Sequence, residues 1–168
     1  AGSTGGEAVD AEIAGLVAAA GHADDAPVGV DLEPGAAIAL AGPGADGVAR
    51  SLVVQLVTWA GPADLQLVVL TGSPAAWDWC RWLPHTAGPS GPRVADAADP
   101  EQVAAALLGL DDGTGRHVLV VTDRPDLLGE RTGVLRRHLA TASSTALVAI
   151  VPPGAAPPAV CRSLLEVG

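Results

Sequence analysis

The sequence contains no lysine, methionine, phenylalanine or tyrosine, so every cationic side chain is an arginine and four tryptophans are the only aromatic residues. Because it contains no methionine, the chain does not begin at a start codon, and we expect it to be a piece of a longer protein. No arginine precedes Arg50, and we therefore expect no secretory signal peptide at the amino end. The apolar runs are also too short for a helix that crosses a bilayer.

Cysteine and positive charge are scarce as well. The two cysteines, Cys80 and Cys161, are far apart and fall in predicted helices, so they predict neither a metal site nor a disulfide framework, which is typical of a reducing cytoplasm. Acidic residues outnumber arginines by 19 to 9, and the net charge is −10. Such a surface would repel phosphates, so we expect no direct contact of this segment with nucleic acid.

What the sequence does contain is enough apolar residues, 49% of 168, for one sizeable core. The strand patterns at residues 36–41, 65–70, 117–121 and 146–151 are continuously apolar rather than alternating. Helical patterns separate them. This order is typical of parallel strands that are covered on both sides. The sequence therefore predicts an α/β fold of three layers, with a mostly parallel sheet and helices on both faces.

The composition divides the chain into a short lead-in and one domain. Residues 1–9 are small and polar, and we expect a flexible segment or a remnant of cloning there; residues 10–168 are predicted to form a single domain.

Asp99 is a strong helix-capping signal, because Pro100 and Gln102 follow it. The predicted helices lie at residues 10–20, 47–60, 75–82, 100–110, 127–140 and 157–167, and further short strands lie at 28–32 and 93–95.

The segment GPGADGVA lies between a predicted strand and a predicted helix, and its glycines Gly42 and Gly47 have the spacing of the phosphate-binding loop G-x-x-x-x-G-K-[ST]. The two chemical positions of that motif are replaced. Val48 stands where a lysine would reach the phosphates, and Ala49 stands where a hydroxyl would hold magnesium. Because the chain has no lysine, no shifted alignment restores the motif.

Two interpretations of this loop stay open. A glycine-rich backbone around Gly44 at the start of a helix is a weak anion site, which gives binding of ATP or ADP without hydrolysis as the alternative. We favour a tight strand-to-helix turn. Asp46 is predicted to cap the helix, and its carboxylate would compete with a phosphate for the backbone amides. No cofactor is therefore predicted.

A second remnant of nucleotide chemistry lies at Asp123, directly after the apolar strand of residues 117–121. Nucleotide-hydrolysing enzymes hold the metal with an acid near this place. No glutamate follows Asp123 to polarise a water molecule, and a turn that ends the strand is the interpretation we favour. The sequence therefore predicts no catalytic residue and no metal site in this segment.

The segment AAWDWCRWLPH contains three of the four tryptophans. On an α-helix, Trp79 and Trp82 would face the core, while Trp77 and Arg81 would share another face and, if that face is exposed, could stack as a cation–π pair. Trp and Arg are enriched at interface hot spots, so Trp77, Arg81 and His85 are the candidate interface. Packing in the core is the interpretation for Trp79 and Trp82 and the alternative for Trp77. His85 is predicted to be a loop residue held by a backbone hydrogen bond.

The sequence RSLVVQLVTWAGPADLQLVVLTG, followed by WDWCRWLPHT, resembles the segment before the first motor module of actinobacterial FtsK/SpoIIIE-domain proteins, such as the EccC-type ATPases of type VII (ESX) secretion. The resemblance covers most of the chain and is most specific over residues 28–86. It implies a degenerate P-loop NTPase or RecA-like module. Val48 and Ala49 depart from the pattern of an active module.

The same resemblance implies the setting of the chain. The parent protein would be a membrane-anchored ATPase motor, with this module at the cytoplasmic face of the cell membrane and attached to the membrane only through the rest of the protein. The module itself would be non-catalytic. Its partners would be other modules of the same polypeptide or neighbouring subunits, whose ATPase activity it could regulate. The sequence leaves open whether the parent is a secretion motor or another FtsK/SpoIIIE protein.

Overall fold

A computed structural model describes residues 29–110, 115–129 and 133–168 of the chain. Asp31–Gly168 forms one compact unit. The predictions for residues 1–9 and for a helix at 10–20 lie outside the described residues, and the single domain over 10–168 stays a prediction. The strands are β1 (Ala37–Ala41), β2 (Leu65–Thr71), β3 (Ala87–Gly88), β4 (Gly91–Pro92), β5 (Val94–Asp96), β6 (His117–Thr122), β7 (Thr145–Val151) and β8 (Ser163–Glu166). The helices are α1 (Ala45–Trp59), α2 (Pro74–Trp77), α3 (Pro100–Leu107) and α4 (Val134–Thr141).

Six of these strands form one sheet in the order β5-β2-β6-β7-β1-β8, and all neighbouring pairs are parallel. Strands β3 and β4 form a separate antiparallel hairpin. Every residue of β2 and β7 is buried, as expected for continuously apolar strands between two layers of helices. The predicted α/β class, with a mostly parallel sheet and helices around it, is confirmed.

The direction of the connections decides which elements share a face of the sheet. The connections β1–β2 and β2–β5 run one way along the strand order, and β5–β6, β6–β7 and β7–β8 run the other way. The right-handed crossover rule then places α1 and residues 72–93 on one face, and α3, α4 and residues 152–162 on the other. The second face holds one continuous cluster, which includes Val68, Leu70, Val118, Val120, Leu147, Val103, Ala106 and Leu135.

Three predicted elements outside the tryptophan segment differ from the structure. The predicted helix at 157–167 is wrong: residues 152–162 contain no helix or strand, and β8 follows them. Four prolines in this segment remove backbone donors and restrain the preceding residues to extended conformations, so the chain crosses to β8 without a helix. The predicted helix at 127–140 is divided into a 3-10 turn, Pro125–Leu128, and α4. The described part of the predicted strand at 28–32 is not a strand.

Helix α3 begins as predicted and is anchored at both ends. The Asp99 carboxylate accepts a hydrogen bond of 3.2 Å from the amide of Gln102 and one of 2.9 Å from its side chain. At the other end, the buried Arg93 guanidinium donates to the carbonyls of Ala106 (2.6 Å) and Leu108 (2.8 Å). These bonds satisfy backbone groups that a helix leaves open at its ends. No helix in the described ranges is long and apolar enough to span a bilayer.

Candidate functional site

The carboxyl ends of β1, β2, β6 and β7 surround a cleft of about 460 Å³. The connections after β2 and β6 leave in opposite directions along the sheet, which makes the space between these two strands a topological switch point. Open α/β sheets bind their ligands in this position. The cleft brings together three residues that the sequence singles out, Gly42, Asp46 and Asp123. It is the candidate functional site.

The glycine loop at this cleft is shorter than its sequence suggests. Helix α1 begins at Ala45 with Gly44 as its N-cap, so only residues 42–44 lie between the strand and the helix. Val48 and Ala49 therefore lie inside the helix, and Ala49 is buried against the sheet. A loop of three residues does not wrap around a phosphate in the way that the longer phosphate-binding loop does.

Asp46 and Gly47 also lie inside α1. The prediction that Asp46 caps the helix is wrong, because the helix begins one residue before it. The Asp46 side chain is exposed. The backbone carbonyl of Asp46 accepts a hydrogen bond from the Arg50 side chain, 3.1 Å away. Gly47 is exposed and has open space where a side chain would be. Asp46 thus places a carboxylate in the first turn of α1, where an anion would otherwise be favoured.

The first two glycines of the loop make room for the end of the chain. Gly42 has a φ of +105°, and a side chain there would overlap the carbonyl oxygen of Val167. A Cβ atom on Gly44 would lie 2.7 Å from the Cγ1 atom of Val167. The amide of Val167 donates to the carbonyl of Ala41, 2.8 Å away. The structural reason for glycine at both positions is therefore the close approach of the segment after β8.

The carboxylate of Asp123 connects β6 to β2. One of its oxygens accepts a hydrogen bond of 2.5 Å from the Thr71 hydroxyl, and the other accepts one of 2.7 Å from the amide of Gly72. The Thr71 oxygen in turn accepts a hydrogen bond from the amide of Ser73, 2.9 Å away. Both oxygens of Asp123 are thus engaged within the protein. Among the described residues, no group of three or more His, Cys, Asp or Glu side chains is arranged to hold a metal.

Arg124 is the cation of this cleft. Its guanidinium binds both carboxylate oxygens of Asp126, at 2.8 and 2.7 Å. The hydrogen bond with Asp126 raises the pKa of Arg124, and the same bond lowers the pKa of Asp126. The aliphatic part of Arg124 packs on Gly72, where a Cβ atom would lie 3.1 Å from Cδ. The positive charge of Arg124 is therefore paired with the carboxylate of Asp126 beside the cleft.

These residues do not fit a magnesium–nucleotide complex. The loop has neither the lysine nor the hydroxyl of the motif, and Val167 occupies the space beside Gly42 and Gly44. The acid at the end of β6, Asp123, is already bound to Thr71. Sequence reasoning missed Thr71 and Val167, because their roles depend on strand neighbours that the sequence does not reveal.

The tryptophan segment departs from the prediction at Trp82. Trp77 is 2% exposed and Trp82 is 86% exposed. Helix α2 ends at Trp77, and residues 78–82 form a 3-10 turn with three residues per turn, so Trp77 shares the buried side with Cys80. Trp79 stacks on Trp77, with ring centroids 6.3 Å apart. The prediction that Trp82 faces the core is wrong, and for Trp77 the structure has the core-packing alternative.

The other two members of the predicted interface have different surroundings. Arg81 forms an ion pair of 3.2 Å with Asp78. His85 is buried, and its Nε2 atom lies 2.9 Å from the carbonyl oxygen of Ala60, so its predicted backbone hydrogen bond is confirmed. The use of Arg81 at an interface stays a prediction. Trp77 and His85 are both too deeply buried to offer a contact surface.

No family model matches the chain. It is 31% identical over 121 residues to the ESX-4 secretion system protein EccC4 of Mycobacterium tuberculosis strain H37Rv, and this match covers 66% of the chain and 10% of the relative. It is 32% identical over 121 residues to the ESX-3 secretion system protein EccC3 of Mycobacterium tuberculosis, covering 61% and 9%. A shorter match, 38% identical over 39 residues, is to the ESX-5 secretion system protein EccC5 of Mycobacterium marinum, covering 23% and 3%. The chain is thus similar to EccC secretion proteins and spans about a tenth of the length of these EccC4 and EccC3 relatives.

Proposed function

We propose that this chain is a non-catalytic, P-loop-like module of a larger FtsK/SpoIIIE-type motor of type VII secretion. It acts through contacts with other modules of the same polypeptide or with neighbouring subunits, and it regulates the modules that hydrolyse ATP. The motor is anchored in the cell membrane, and this module lies at the cytoplasmic face. The module itself does not bind nucleic acid.

The similarity to EccC proteins supports the first part of this proposal. The chain matches about a tenth of the EccC4 relative and of the EccC3 relative, which is the share expected of one module in a protein with several. The sheet order supports the P-loop-like part. It brings the glycine loop after β1 and the acid after β6 to the same edge of the sheet, on either side of β7.

The proposal that the module is non-catalytic rests on the hydrogen bonds of the Asp123 carboxylate. A carboxylate that serves a bound metal must be available to the metal or to its water shell. Asp123 instead accepts hydrogen bonds from Thr71 and Gly72, both at the end of β2. With Val48 and Ala49 at its two chemical positions, the glycine loop supplies neither the lysine nor the hydroxyl that the motif uses to hold a triphosphate and its magnesium.

Calorimetric titration of the chain with magnesium-ATP, together with a phosphate-release assay, tests this proposal. We expect no binding heat and no turnover. The Asp123→Asn variant is the matched control for any activity that does appear, because a trace of contaminating ATPase would not respond to it. Micromolar affinity with turnover that disappears in Asp123→Asn would contradict the proposal.

A nucleotide sensor without hydrolysis is the second candidate. The observation that favours it is the open space around Gly47, where the first turn of α1 meets the cleft. Substitution of Gly47 by Asp places a second carboxylate there without a steric clash. The sensor hypothesis expects ATP or ADP to raise the melting temperature of the parent chain and to leave that of Gly47→Asp unchanged. If the parent chain shows no shift, this second candidate is removed.

A further inference from the structure

Strand β8 is the open edge of the six-stranded sheet. At the other edge, β5 is covered, because Val94 and Ala95 are buried and Asp96 is half-buried. In β8, by contrast, Leu165 is half-buried and the other three residues are exposed. One of these three is Leu164, a large apolar side chain that is 46% exposed. An open edge strand carries backbone groups without a partner, and another strand can pair with it there.

The backbone groups of β8 point alternately toward β1 and away from it. The amide of Val167 donates to the carbonyl of Ala41 in β1, 2.8 Å away. By alternation, the backbone groups of Leu165 also face β1, and those of Leu164 and Glu166 face outward. Within the described sheet, β1 is the neighbour of β8 and no strand lies beyond β8. The outward N–H and C=O groups can therefore pair with an added strand.

The sequence around Leu164 is complementary to itself in an antiparallel pair. Where Leu164 lies opposite Leu164 of a second copy, the two residues exchange both of their hydrogen bonds. The residues two positions before and two positions after Leu164 then lie opposite each other. They are Arg162 and Glu166, which are exposed and oppositely charged. The pairing thus contains two pairs of opposite charges, one on each side of the central leucines.

The two charged side chains are available for this contact. Among the described residues, neither the Arg162 guanidinium nor the Glu166 carboxylate has an ion-pair or hydrogen-bond partner. The amide of Arg162, directly before the strand, already donates to the carbonyl of Ala37, 2.9 Å away. The side chain of Arg162, rather than its amide, therefore takes part in the pairing.

Other antiparallel registers lose this match. The pairing can shift only by two residues at a time, because outward-facing groups must meet outward-facing groups. One such shift places Leu164 opposite Glu166, and Arg162 then lies opposite Gly168. The other places Leu164 opposite Arg162, and Glu166 then lies opposite Val160. Both bring a leucine opposite a charge and leave no pair of opposite charges, so the register centred on Leu164 is favoured.

We propose that β8 pairs with β8 of a second copy in this antiparallel register and joins the two sheets into one. The inference deepens the interaction role proposed above and rests on it, because it identifies a neighbouring subunit as a second copy of this chain. Since the same strand serves both copies, the contact has two-fold symmetry and stops at a dimer.

Sedimentation velocity of the 168-residue chain tests for the dimer. Because β8 is four residues long, the contact is small, and concentrations from about 1 µM to about 1 mM cover the weak affinity that we expect. Salt at about 0.15 M limits the repulsion between two copies that each have a net charge of −10. The sedimentation coefficient should rise with concentration toward that of a dimer. A chain that stays monomeric throughout overturns the inference.

Charge reversal at the two positions tests the register. Arg162→Glu places two glutamates opposite each other on both sides of the central leucines, and Glu166→Arg places two arginines there. Each single variant should therefore weaken association at least about threefold. The double variant restores opposite charges in reversed order and should associate about as tightly as the parent chain. Weakening that the double variant does not restore overturns the register.

The direction of these changes separates pairing from overall charge. Arg162→Glu makes the chain more negative and Glu166→Arg makes it less negative, so general repulsion alone would weaken association in the first and strengthen it in the second. Pairing predicts weakening in both. The matched control is Arg137→Glu, which makes the same change of charge at an exposed position of α4 and should weaken association less than about twofold. Equal weakening by Arg137→Glu and Arg162→Glu overturns the inference.

Hydrogen exchange of the backbone amides, measured by NMR, locates the contact. The amide of Leu164 faces solvent in the monomer and donates to the second copy in the dimer, so it should exchange more slowly at the highest protein concentration than at the lowest. The amide of Val167 is bonded to Ala41 in both states and should change little. A dimer in which exchange at Leu164 does not depend on concentration overturns the inference.

The outcomes separate this inference from the proposed function. Circular dichroism should show that every variant is folded, because the substituted side chains are exposed or half-buried at the surface. A monomeric chain overturns the inference even where magnesium-ATP fails to bind and the proposed function stands. Association that follows the charges of Arg162 and Glu166 supports the inference even where ATP hydrolysis is found and the proposed non-catalytic role fails.

Discussion

The Thr71 hydroxyl donates a hydrogen bond of 2.5 Å to the carboxylate of Asp123, and this bond joins the carboxyl ends of β2 and β6 across the candidate site. The two strands are neighbours in the sheet, although the two residues are 52 positions apart in the chain. The bond ties the two strands together at the topological switch point, beside the cleft. Asp123 thus forms hydrogen bonds within the protein at a place where other α/β proteins bind ligands.

Substitution of Asp123 by Ala should destabilise the domain. It leaves the buried Thr71 hydroxyl without its acceptor, and we expect the free energy of unfolding to fall by about 1–3 kcal/mol. The matched control is Asp126→Ala, which removes an exposed ion pair with Arg124 and should lower that free energy by less than about 1 kcal/mol. Urea denaturation of both variants measures the difference, and equal effects would contradict a special role for Asp123.

The packing of Gly42 against Val167 predicts a steric effect beyond the backbone effect. Gly35→Ala, at a φ of +86° with open space around it, should cost only the backbone term of about 1–2 kcal/mol. Gly42→Ala should cost a further 1–3 kcal/mol or so, because its side chain overlaps Val167.

Deletion of the last two residues tests the cause of that difference. It removes the overlap, so it should cost less stability in the Gly42→Ala background than in the parent chain. Thermal unfolding of the four proteins of this cycle gives the coupling between Gly42 and Val167. Strictly additive losses would show that the two positions do not interact.

The cap of α3 predicts a dependence of stability on pH. Hydrogen bonds from the backbone and side chain of Gln102 lower the pKa of Asp99. A carboxyl group whose pKa is lowered in the folded state stabilises the fold above its unfolded pKa of about 3.9, and this contribution is lost as the pH falls through the lower, folded pKa. Asn also caps helices but does not titrate. The melting temperature of Asp99→Asn should therefore fall less on acidification below about pH 4 than that of the parent chain; parallel pH profiles would contradict the role of this cap.

The two cysteines should react slowly in the folded protein and at different rates. Burial raises the pKa of Cys80 to about 12 and raises that of the half-buried Cys161 as well. Because the thiolate is the reactive form, little of either side chain is reactive at about pH 8. Alkylation with iodoacetamide, followed by mass spectrometry, should modify Cys161 before Cys80, and both quickly once urea has unfolded the chain. Rapid native modification of Cys80 would contradict its burial.

The sequence predicts the sheet because its strands are continuously apolar, and it predicts the start of α3 because Asp99 and Gln102 are local neighbours. It fails where a periodic pattern does not reveal which side of a segment meets the core. Trp79 and Trp82 are three positions apart and share a side in either type of helix, but the structure buries the side of Trp77 and Cys80 and leaves Trp82 exposed.

The rest of the candidate site depends on strand order. Thr71 ends β2 and Asp123 follows β6, and nothing in either segment shows that these strands are neighbours. Val167 likewise reaches Gly42 only because β8 pairs with β1 at the edge of the sheet. A residue pattern can name the loop and the acid, but the partners of both come from distant parts of the chain.

The position of β1 has a consequence for how the domain is made. It is the first strand of the described chain, yet its two neighbours in the sheet are the last two, with Ile38 opposite both Val148 and Ser163. During synthesis, β1 therefore has no partner strand in the sheet until β7 and β8 have been made. Contacts between residues this distant in sequence slow folding. Until its partner strands are present, an apolar strand is also exposed to pairing with the wrong segment or with another chain.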